Sequence, residues 1–436
     1  FELMKSTTSL PSIKNFYSSL IEETILPHHY GFAKKVWEIF KCQNLVEYTE
    51  LYCRIDTILL AEIFQKFRKD LLNFSGLDPA RYISLPAFSF DSMMKITECQ
   101  LELPTNINIV QFIESGIRGG LSFINHRHLK IQKKNEKIFY IDANNLYGLA
   151  QMSKLPTGNL KFISSSQYKH IDWSTINTEK NVGYILEVDL YYPAYLHDSH
   201  SDFPLAPELI ELSFENLSPY CKKIFKETSG NKKYSDSKLL NTFHPRKNYV
   251  LHFKNLKLYL NLGMKLKKIH RVLKFTQKRF IQPFIELCTN ARQDSSTDFE
   301  KDQFKKVANS TYGKTIQNVR NYLSVKLSTT EKQALKHTSD PNFKNFVIID
   351  ERLVQTNHFT PVILHDRPIF VGFAILELSK HFMYDFFYNK LLKDSPCKIQ
   401  LGFSDTDSFL FKVDKPNAFI KHIKPFMDFS NYNSTH

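Results

Sequence analysis

The stretch that most constrains this chain is Lys398 to Val413, KIQLGFSDTDSFLFKV, where two short apolar runs flank Ser404-Asp405-Thr406-Asp407-Ser408. Strand-forming runs broken by a few polar residues specify an antiparallel hairpin, because a tight reversal lets both runs share one core. The hairpin carries two carboxylates at or just past its tip. Asp is common in turns, so on this segment alone a plain polar turn and a functional acidic tip both stay open. A second strand is expected in Lys137–Leu149, KIFYIDANNLYGL. Its four consecutive apolar residues ending in Asp142 describe a strand buried on both faces. Burying that Asp is costly unless it has a partner or a task.

The remaining elements are legible as periodicities. Residues 46–69 place Leu51, Ile55, Ile58, Leu59 and Ile63 in helical rhythm, with Tyr48, Tyr52 and Asp56 at steps of four on the other face. In 106–129, Arg118-Gly119-Gly120 interrupts an apolar segment and lets backbone come close to a ligand or another chain. Gly183–Tyr192 reads as a strand, followed by a stretch of weak periodicity from Pro193 to about Tyr249. Thr297 and Glu300 form a capping box that opens a helix through Thr311, and Gly313 is expected to end it. On that helix Lys301, Lys305, Asn309 and Tyr312 make one stripe, beside a stripe of Phe304, Val307, Ala308 and Thr311. The first stripe reads as a solvated basic face or as an anion site, since a triphosphate would relieve the repulsion of lysines one turn apart.

Charge sets the class of partner. The 436 residues hold 58 Lys and Arg against 44 Asp and Glu, a formal charge of +14 that suits a polyanion. Seven of these cations fall in Lys265–Arg279 without an acid, which reads as a solvated face or as nucleic-acid contact through Lys267, Lys268 and Arg271. A hydrophobic content of 42% and a charged content of 23% exclude disorder and collagen, and the length allows about two to four domains. No uncharged apolar run is long enough to span a membrane, so no membrane partner is expected. Cys42, Cys53, Cys99, Cys221, Cys288 and Cys397 lie far apart without a C-x-x-C pair and read as reduced thiols. His126 and His128 alternate as strand neighbours would, and without further ligands read as surface residues. The chain opens on Phe1 and closes on SNYNSTH, so both ends look like cuts in a longer protein.

Taken together, a strand-end Asp142, a helix with Asn309 and Tyr312, and an acidic hairpin supply carboxylates for two Mg²⁺ ions and cations for phosphates, the needs of nucleotidyl transfer. Hard oxygen donors also fit magnesium better than zinc. Asp142-Ala-Asn-Asn-Leu-Tyr-Gly, Lys305-Lys-Val-Ala-Asn-Ser-Thr-Tyr-Gly313 and Ser404-Asp-Thr-Asp-Ser408 resemble motifs A, B and C of family B DNA polymerases, in order. Ile117-Arg-Gly-Gly120 resembles the Tyr-x-Gly-Gly element between exonuclease and polymerase domains, with Ile117 replacing the tyrosine. The long insertion between motifs A and B is similar to the protein-primed branch, and the wording of residues 10–412 to polymerases of Polinton/Maverick elements and related viruses.

The resemblance implies an α+β fold: a right-hand palm and fingers preceded by the C-terminal end of an RNase H-like exonuclease domain, the thumb missing. It divides the chain into 1–110, exonuclease end and connector; 111–192, palm with motif A; 193–262, a terminal-protein-region-like insertion; 263–320, fingers with motif B; 321–366, a second insertion-like segment; and 367–436, palm with motif C. By the same resemblance Asp142, Asp405 and Asp407 are catalytic. Asp142, the Ala143 carbonyl and Asp407 would ligate two Mg²⁺ ions. Lys301 and Lys305 would bind the triphosphate, Asn309 and Tyr312 would line the nascent base pair, and Tyr147 would exclude a ribose 2′-hydroxyl. Arg118, Gly119 and Gly120 would follow the template.

The implied partners are template and primer DNA, deoxynucleotides and a terminal-protein primer; the implied setting is intracellular, in the nucleus or at a viral replication site. Motif A has Asn145 and Gly148 where the family usually has Ser and Pro, with modest effects expected. Tyr52-Cys-Arg-Ile-Asp56 resembles the third exonuclease motif, but Asp56 is the first Asp of the sequence, so a complete proofreading site is not expected here. Two other readings stand beside the polymerase: a decayed mobile-element remnant that only binds nucleic acid, and an RNA-templated polymerase, which the Asp-Thr-Asp-Ser hairpin disfavours.

Overall fold

The computed structural model describes residues 2–229 and 234–429. These form two compact units, one ending at Ile83 and the other starting at Ser84. The first unit is organised by α1 (Leu45–Ser75), a helix of 31 residues. Its ends are written in the sequence. The Asn44 side chain accepts from the Val46 and Glu47 amides, and Gly76, at φ 66°, closes the last turn in the left-handed conformation that glycine adopts at least cost. Within this unit the apolar stripe read from the periodicity stays open: Ile55, Ile58, Leu59 and Ile63 are 40–61% exposed.

The second unit begins with α2 (Leu85–Thr97) and has mixed α/β architecture. It contains two four-stranded antiparallel sheets. They use β1 (Ser122–Ile124), β2 (Lys137–Asp142), β3 (Leu155–Ile163), β4 (Val182–Tyr191), β5 (Arg246–His252), β6 (Lys265–Lys278), β7 (Ile399–Asp405) and β8 (Ser408–Val413). One sheet has the order β3-β6-β4-β5 and the other β1-β7-β8-β2. Three helices lie among them: α3 (Leu146–Gln151), α4 (Asp298–Thr315) and α5 (Ile369–Asp385).

The apolar run of β8 explains its central place. Phe409 lies opposite Ile141 and Phe411 opposite Phe139, and Phe139, Phe409, Phe411 and Val413 are buried. Each such side chain contributes roughly 1.5–3 kcal/mol of burial. The expectation that β2 is buried on both faces is corrected by its position. It is an edge strand in which Phe139 and Ile141 face the core while Ile138, Tyr140 and Asp142 are exposed. Four apolar residues in a row here mark a one-sided edge, and the Asp142 carboxylate keeps its water.

Helix α5 is the opposite case, buried nearly all round from Ile369 to Lys380. It comes so close to the end of α4 that a Cβ on Gly372 would lie 1.8 Å from the Ile316 side chain. The weakly periodic stretch after Pro193 holds a hairpin, Glu208–Ser213 with Ser235–Leu240, and the helix Pro219–Ser229. Between α4 and α5 a three-stranded sheet, Leu323–Ser328, Leu353–Phe359 and Phe343–Asp350 in spatial order, packs with the helix Glu331–Thr338. No described helix is long and apolar enough to cross a membrane.

Candidate active site

Pairing brings three carboxylates from two distant parts of the sequence to one end of the β1-β7-β8-β2 sheet. In register, Ser122 lies opposite Asp405, Asp405 opposite Ser408 and Ser408 opposite Asp142. Ser122 Oγ donates to Asp405 Oδ1 at 2.6 Å. The loop of the hairpin is Thr406-Asp407, and the Ala143 amide donates to the Asp407 carbonyl at 2.9 Å, tying the end of β2 to the turn. Tyr140 Oη sits 3.5 Å from Asp142 Oδ2.

The turn is strained. The Asp407 amide donates to the Asp405 carbonyl across a single residue, at 2.6 Å, and Thr406 between them has φ 54°. Positive φ is unfavourable for a β-branched residue and persists only where surroundings hold it. Two contacts do so. The Thr406 amide donates to the Leu121 carbonyl at 2.9 Å, and Gly120 lies against the Thr406 side chain, where a Cβ would be 2.5 Å from Cγ2. Gly120 is therefore required by the close approach of its own chain's hairpin, whereas a Cβ on Gly119 would meet open space.

Electrostatics follow from this crowding. Partial burial, the neighbouring Asp142 and then Asp405 push the Asp407 carboxyl above the usual aspartate range, and Lys305 opposes the rise. A cation shared by Asp142 and Asp407 would remove the repulsion. Among the described residues no three or more His, Cys, Asp or Glu are spaced to hold a metal ion together. The candidate donor set is thus the carboxylates of Asp142 and Asp407, with Ala143 lining the same cavity. That fits Mg²⁺, which is commonly held by one or two carboxylates with waters and substrate phosphates completing its shell. Asp142, Ala143 and Asp407 line a cavity of about 740 Å³ whose wall also includes Phe382, Phe386 and Lys390.

Helix α4 supplies the cationic side. Its capping box is present, with Thr297 Oγ1 accepting from the Glu300 amide. The helix runs through Gly313 to Thr315, so the expectation that Gly313 ends it is corrected. Gly313 does not adopt the left-handed conformation of a terminal glycine, and Thr315 Oγ1 bonds back to the Tyr312 carbonyl at 2.6 Å. The two stripes separate by burial: Val307, Ala308 and Thr311 are buried, while Lys301 and Lys305 are exposed. Lys301 lies 3.6 Å from Asp298. Asn309 Oδ1 is buried without a hydrogen-bond partner among the described residues. Tyr312 stacks on Tyr147, with ring centroids 4.5 Å apart and planes 4° from parallel. Burial and then Tyr312 drive the Tyr147 hydroxyl far above its ordinary pKa, and Asp407 adds to the effect. Residues of the three motifs therefore meet at one place.

Other expected site residues are placed differently. Arg118 turns inward, its guanidinium donating to the Val250 carbonyl at 2.8 Å and lying 3.9 Å over the Tyr249 ring. Arg271 pairs with Glu187 at 2.6 Å and covers the Phe112 ring. Lys268 lies opposite Asp189 in the sheet, and Lys267 sits over Tyr191 at 5.1 Å. In the first unit Tyr52 and Asp56 are both exposed and share a hydrogen bond on one face of α1. His126 and His128 are exposed. The sequence reading missed Ser122, Leu121 and Lys380. For Lys380 there was a signal, since Glu377 and Lys380 are a charged pair one turn apart inside an otherwise apolar helix. For Ser122, paired in space but not in sequence, there was none.

Comparison with known proteins gives the class. Residues 32–387 match the family described as DNA polymerase type B, organellar and viral, and the chain belongs to this family. The match includes motifs A and B and ends before Ser404, so the third motif rests on the hairpin geometry. Among solved structures the chain is similar to Phi29 DNA polymerase. The orthorhombic crystal form is 15% identical, with a TM-score of 0.45, over 93% of this chain and 56% of that one. The complex with primer-template DNA and incoming nucleotide is 16% identical, with a TM-score of 0.43, over 90% of this chain and 54% of that one. The chain thus spans about half the length of these polymerases. No curated protein matches the sequence.

Proposed function

We propose that this chain is the exonuclease-end, palm and fingers portion of a DNA-directed DNA polymerase of the protein-primed branch, copying a mobile-element or viral genome from deoxynucleotides. The observation that carries the reading is the meeting of Asp142 and Asp407 beside Lys305 and the Tyr147–Tyr312 pair. In this reading the sheet β1-β7-β8-β2 is palm and α4 belongs to the fingers. The hairpin at 208–240 and the three-stranded sheet at 323–359 are the insertions, the first suited to a terminal protein. Tyr52 and Asp56 are what remains here of an exonuclease motif. Action in the nucleus or at a viral replication site goes with this reading.

The chemistry of the residues follows from their placement. Two Mg²⁺ ions, when bound, would activate the primer hydroxyl and neutralise charge on the triphosphate and its leaving group. Asp142, Asp407 and the Ala143 carbonyl would hold them. Metal ligation needs Asp407 ionised, and a bound cation would offset the burial and the neighbouring carboxylates that raise its pKa. Asp405, bonded to Ser122, assists from the flank. Lys305 and, one turn away, Lys301 present positive charge to phosphates. Tyr147, braced face to face by Tyr312, gives a rigid wall where a ribose 2′-hydroxyl would otherwise fit.

The test is primer extension with Mg²⁺ by the protein that carries this chain, comparing wild type with Asp407→Asn. Abolished incorporation in the variant supports the reading. Equal incorporation by both removes the metal assignment and leaves a nucleic-acid-binding remnant.

A further inference from the structure

Lys380 is 5% exposed in the middle of α5. Taking an ammonium out of water costs several kcal/mol, so a buried lysine needs partners that repay it. Lys380 Nζ donates to the Leu376 carbonyl at 2.8 Å and to the Arg118 carbonyl at 2.9 Å, and lies 3.5 Å from the Gly119 carbonyl. Glu377 Oε1 is 3.6 Å away. Apart from its own helix, then, the lysine grips main chain at 118–119.

The next two residues are those that hold the strained turn. Gly120 packs on the Thr406 side chain, and the Leu121 carbonyl accepts from the Thr406 amide. Gly120, Leu121, Lys380, Ser404 and Thr406 line one small cavity, so the lysine, the segment and the turn are immediate neighbours. From the other side the Arg118 guanidinium anchors the same segment to Val250. A strained turn keeps its shape only while its supports stay in place.

We propose that Lys380 is a positioning residue for the metal-binding turn, fixing the 118–121 segment so that Thr406 stays at positive φ and Asp407 faces Asp142. This rests on the reading of Asp407 as a metal ligand. Supporting residues of this kind typically change metal affinity or activity by about 10–100-fold.

The test uses Mn²⁺ binding followed by electron paramagnetic resonance, together with the metal dependence of primer extension, on the protein that carries this chain. Glu377→Gln combined with Lys380→Met removes the grip while leaving no uncompensated charge. It should weaken Mn²⁺ binding by roughly 10-fold or more and raise the Mg²⁺ requirement, with duplex affinity unchanged. Lys380→Arg, which keeps the charge and can reach the same carbonyls, should restore most of the loss. Thr406→Gly disturbs the turn without touching α5. Glycine removes the strain and the contact with Gly120, so Mn²⁺ affinity should fall while the thermal midpoint holds. Wild-type Mn²⁺ affinity in the folded double variant or in Thr406→Gly, with Asp407→Asn losing the metal, overturns the role of Lys380 alone. Wild-type Mn²⁺ affinity in Asp407→Asn overturns both assignments.

Discussion

The two four-stranded sheets of the larger unit handle charge in opposite ways. Strand β6 is the most basic stretch of the chain, yet several of its cations lie against acids: Arg271 pairs with Glu187, Lys268 lies opposite Asp189, and Arg279, just beyond the strand, pairs with Glu179 at 2.8 Å. His270 also reaches Asp189, at 2.8 Å. The sheet that ends in Asp142, Asp405 and Asp407 gathers like charges, with Lys305 as the cation acting on Asp407. Balanced charge stabilises a sheet that is already complete. Unbalanced charge at a sheet end stores repulsion that a bound cation would relieve.

The largest expected effect tests the unbalanced side. Lewis-acid stabilisation contributes several kcal/mol at a phosphoryl centre, so Asp407→Asn should lower the rate of nucleotide incorporation at least about 10³-fold in single-turnover primer extension. Retention of the rate would mean that the crowded carboxylates are structural, as in the other sheet.

Acid should then weaken the packing shared by β5 and α5. Burial lowers His381 to about 4 and holds His252 well below its ordinary range, with His200 also near 4. The folded protein refuses protons that the unfolded chain takes up, so stability present at neutral pH is lost as pH falls through 6.5 toward about 4. One unit below 6.5, each such histidine costs about 1.4 kcal/mol. The thermal midpoint should therefore drop steeply between pH 7 and pH 5.5, and less steeply in His381→Phe. An equal slope in that variant would place the proton uptake elsewhere.

Tyr147→Val should relax discrimination against ribonucleotides by about 1–3 kcal/mol, the usual reach of a steric pocket, read as the ratio of kcat/KM for the two sugars. An unaltered ratio would remove the gate. The smallest effect concerns the balanced sheet. Were Lys267, Lys268 and Arg271 all on phosphates, neutralising them would reduce the salt slope of DNA binding by about 2.7; with Arg271 held by Glu187 and Lys268 facing Asp189 the change should be about 0.9. Glu187→Gln, by freeing Arg271, should steepen the slope by about 0.9. Equal slopes in wild type and Glu187→Gln would show that this face does not meet DNA.

Much of the site was legible because it depends on local pattern. The hairpin, the capping box of α4 and its two stripes are properties of neighbouring residues, and each is present where the spacing puts it. What could not be read was set by partners distant in sequence. The basic run looked uncompensated because Glu187 and Asp189 lie on another strand. Strand β2 looked buried on both faces because an edge position cannot be seen from one strand. Arg118-Gly119-Gly120 looked open to a ligand, and two of its features point into the protein: the Arg118 guanidinium and the face of Gly120 against Thr406. The periodicity of residues 46–69 gave the helix, which is present as α1, but periodicity says nothing about what covers its apolar residues, and Ile55, Ile58, Leu59 and Ile63 stay exposed.

The pairing of β2 with β8 has a consequence for how the molecule is made. The sheet joins β2 to a hairpin that leaves the ribosome only after the 208–240 hairpin, the 323–359 sheet and α5. Contacts of such sequence separation form slowly, because a long loop must close before any pairing rewards it. During synthesis Asp142 waits on an unpaired edge, and its acidic counterpart arrives late. A nascent chain therefore cannot bring Asp142, Asp405 and Asp407 to one sheet end until the hairpin through Val413 has been translated and paired with β2.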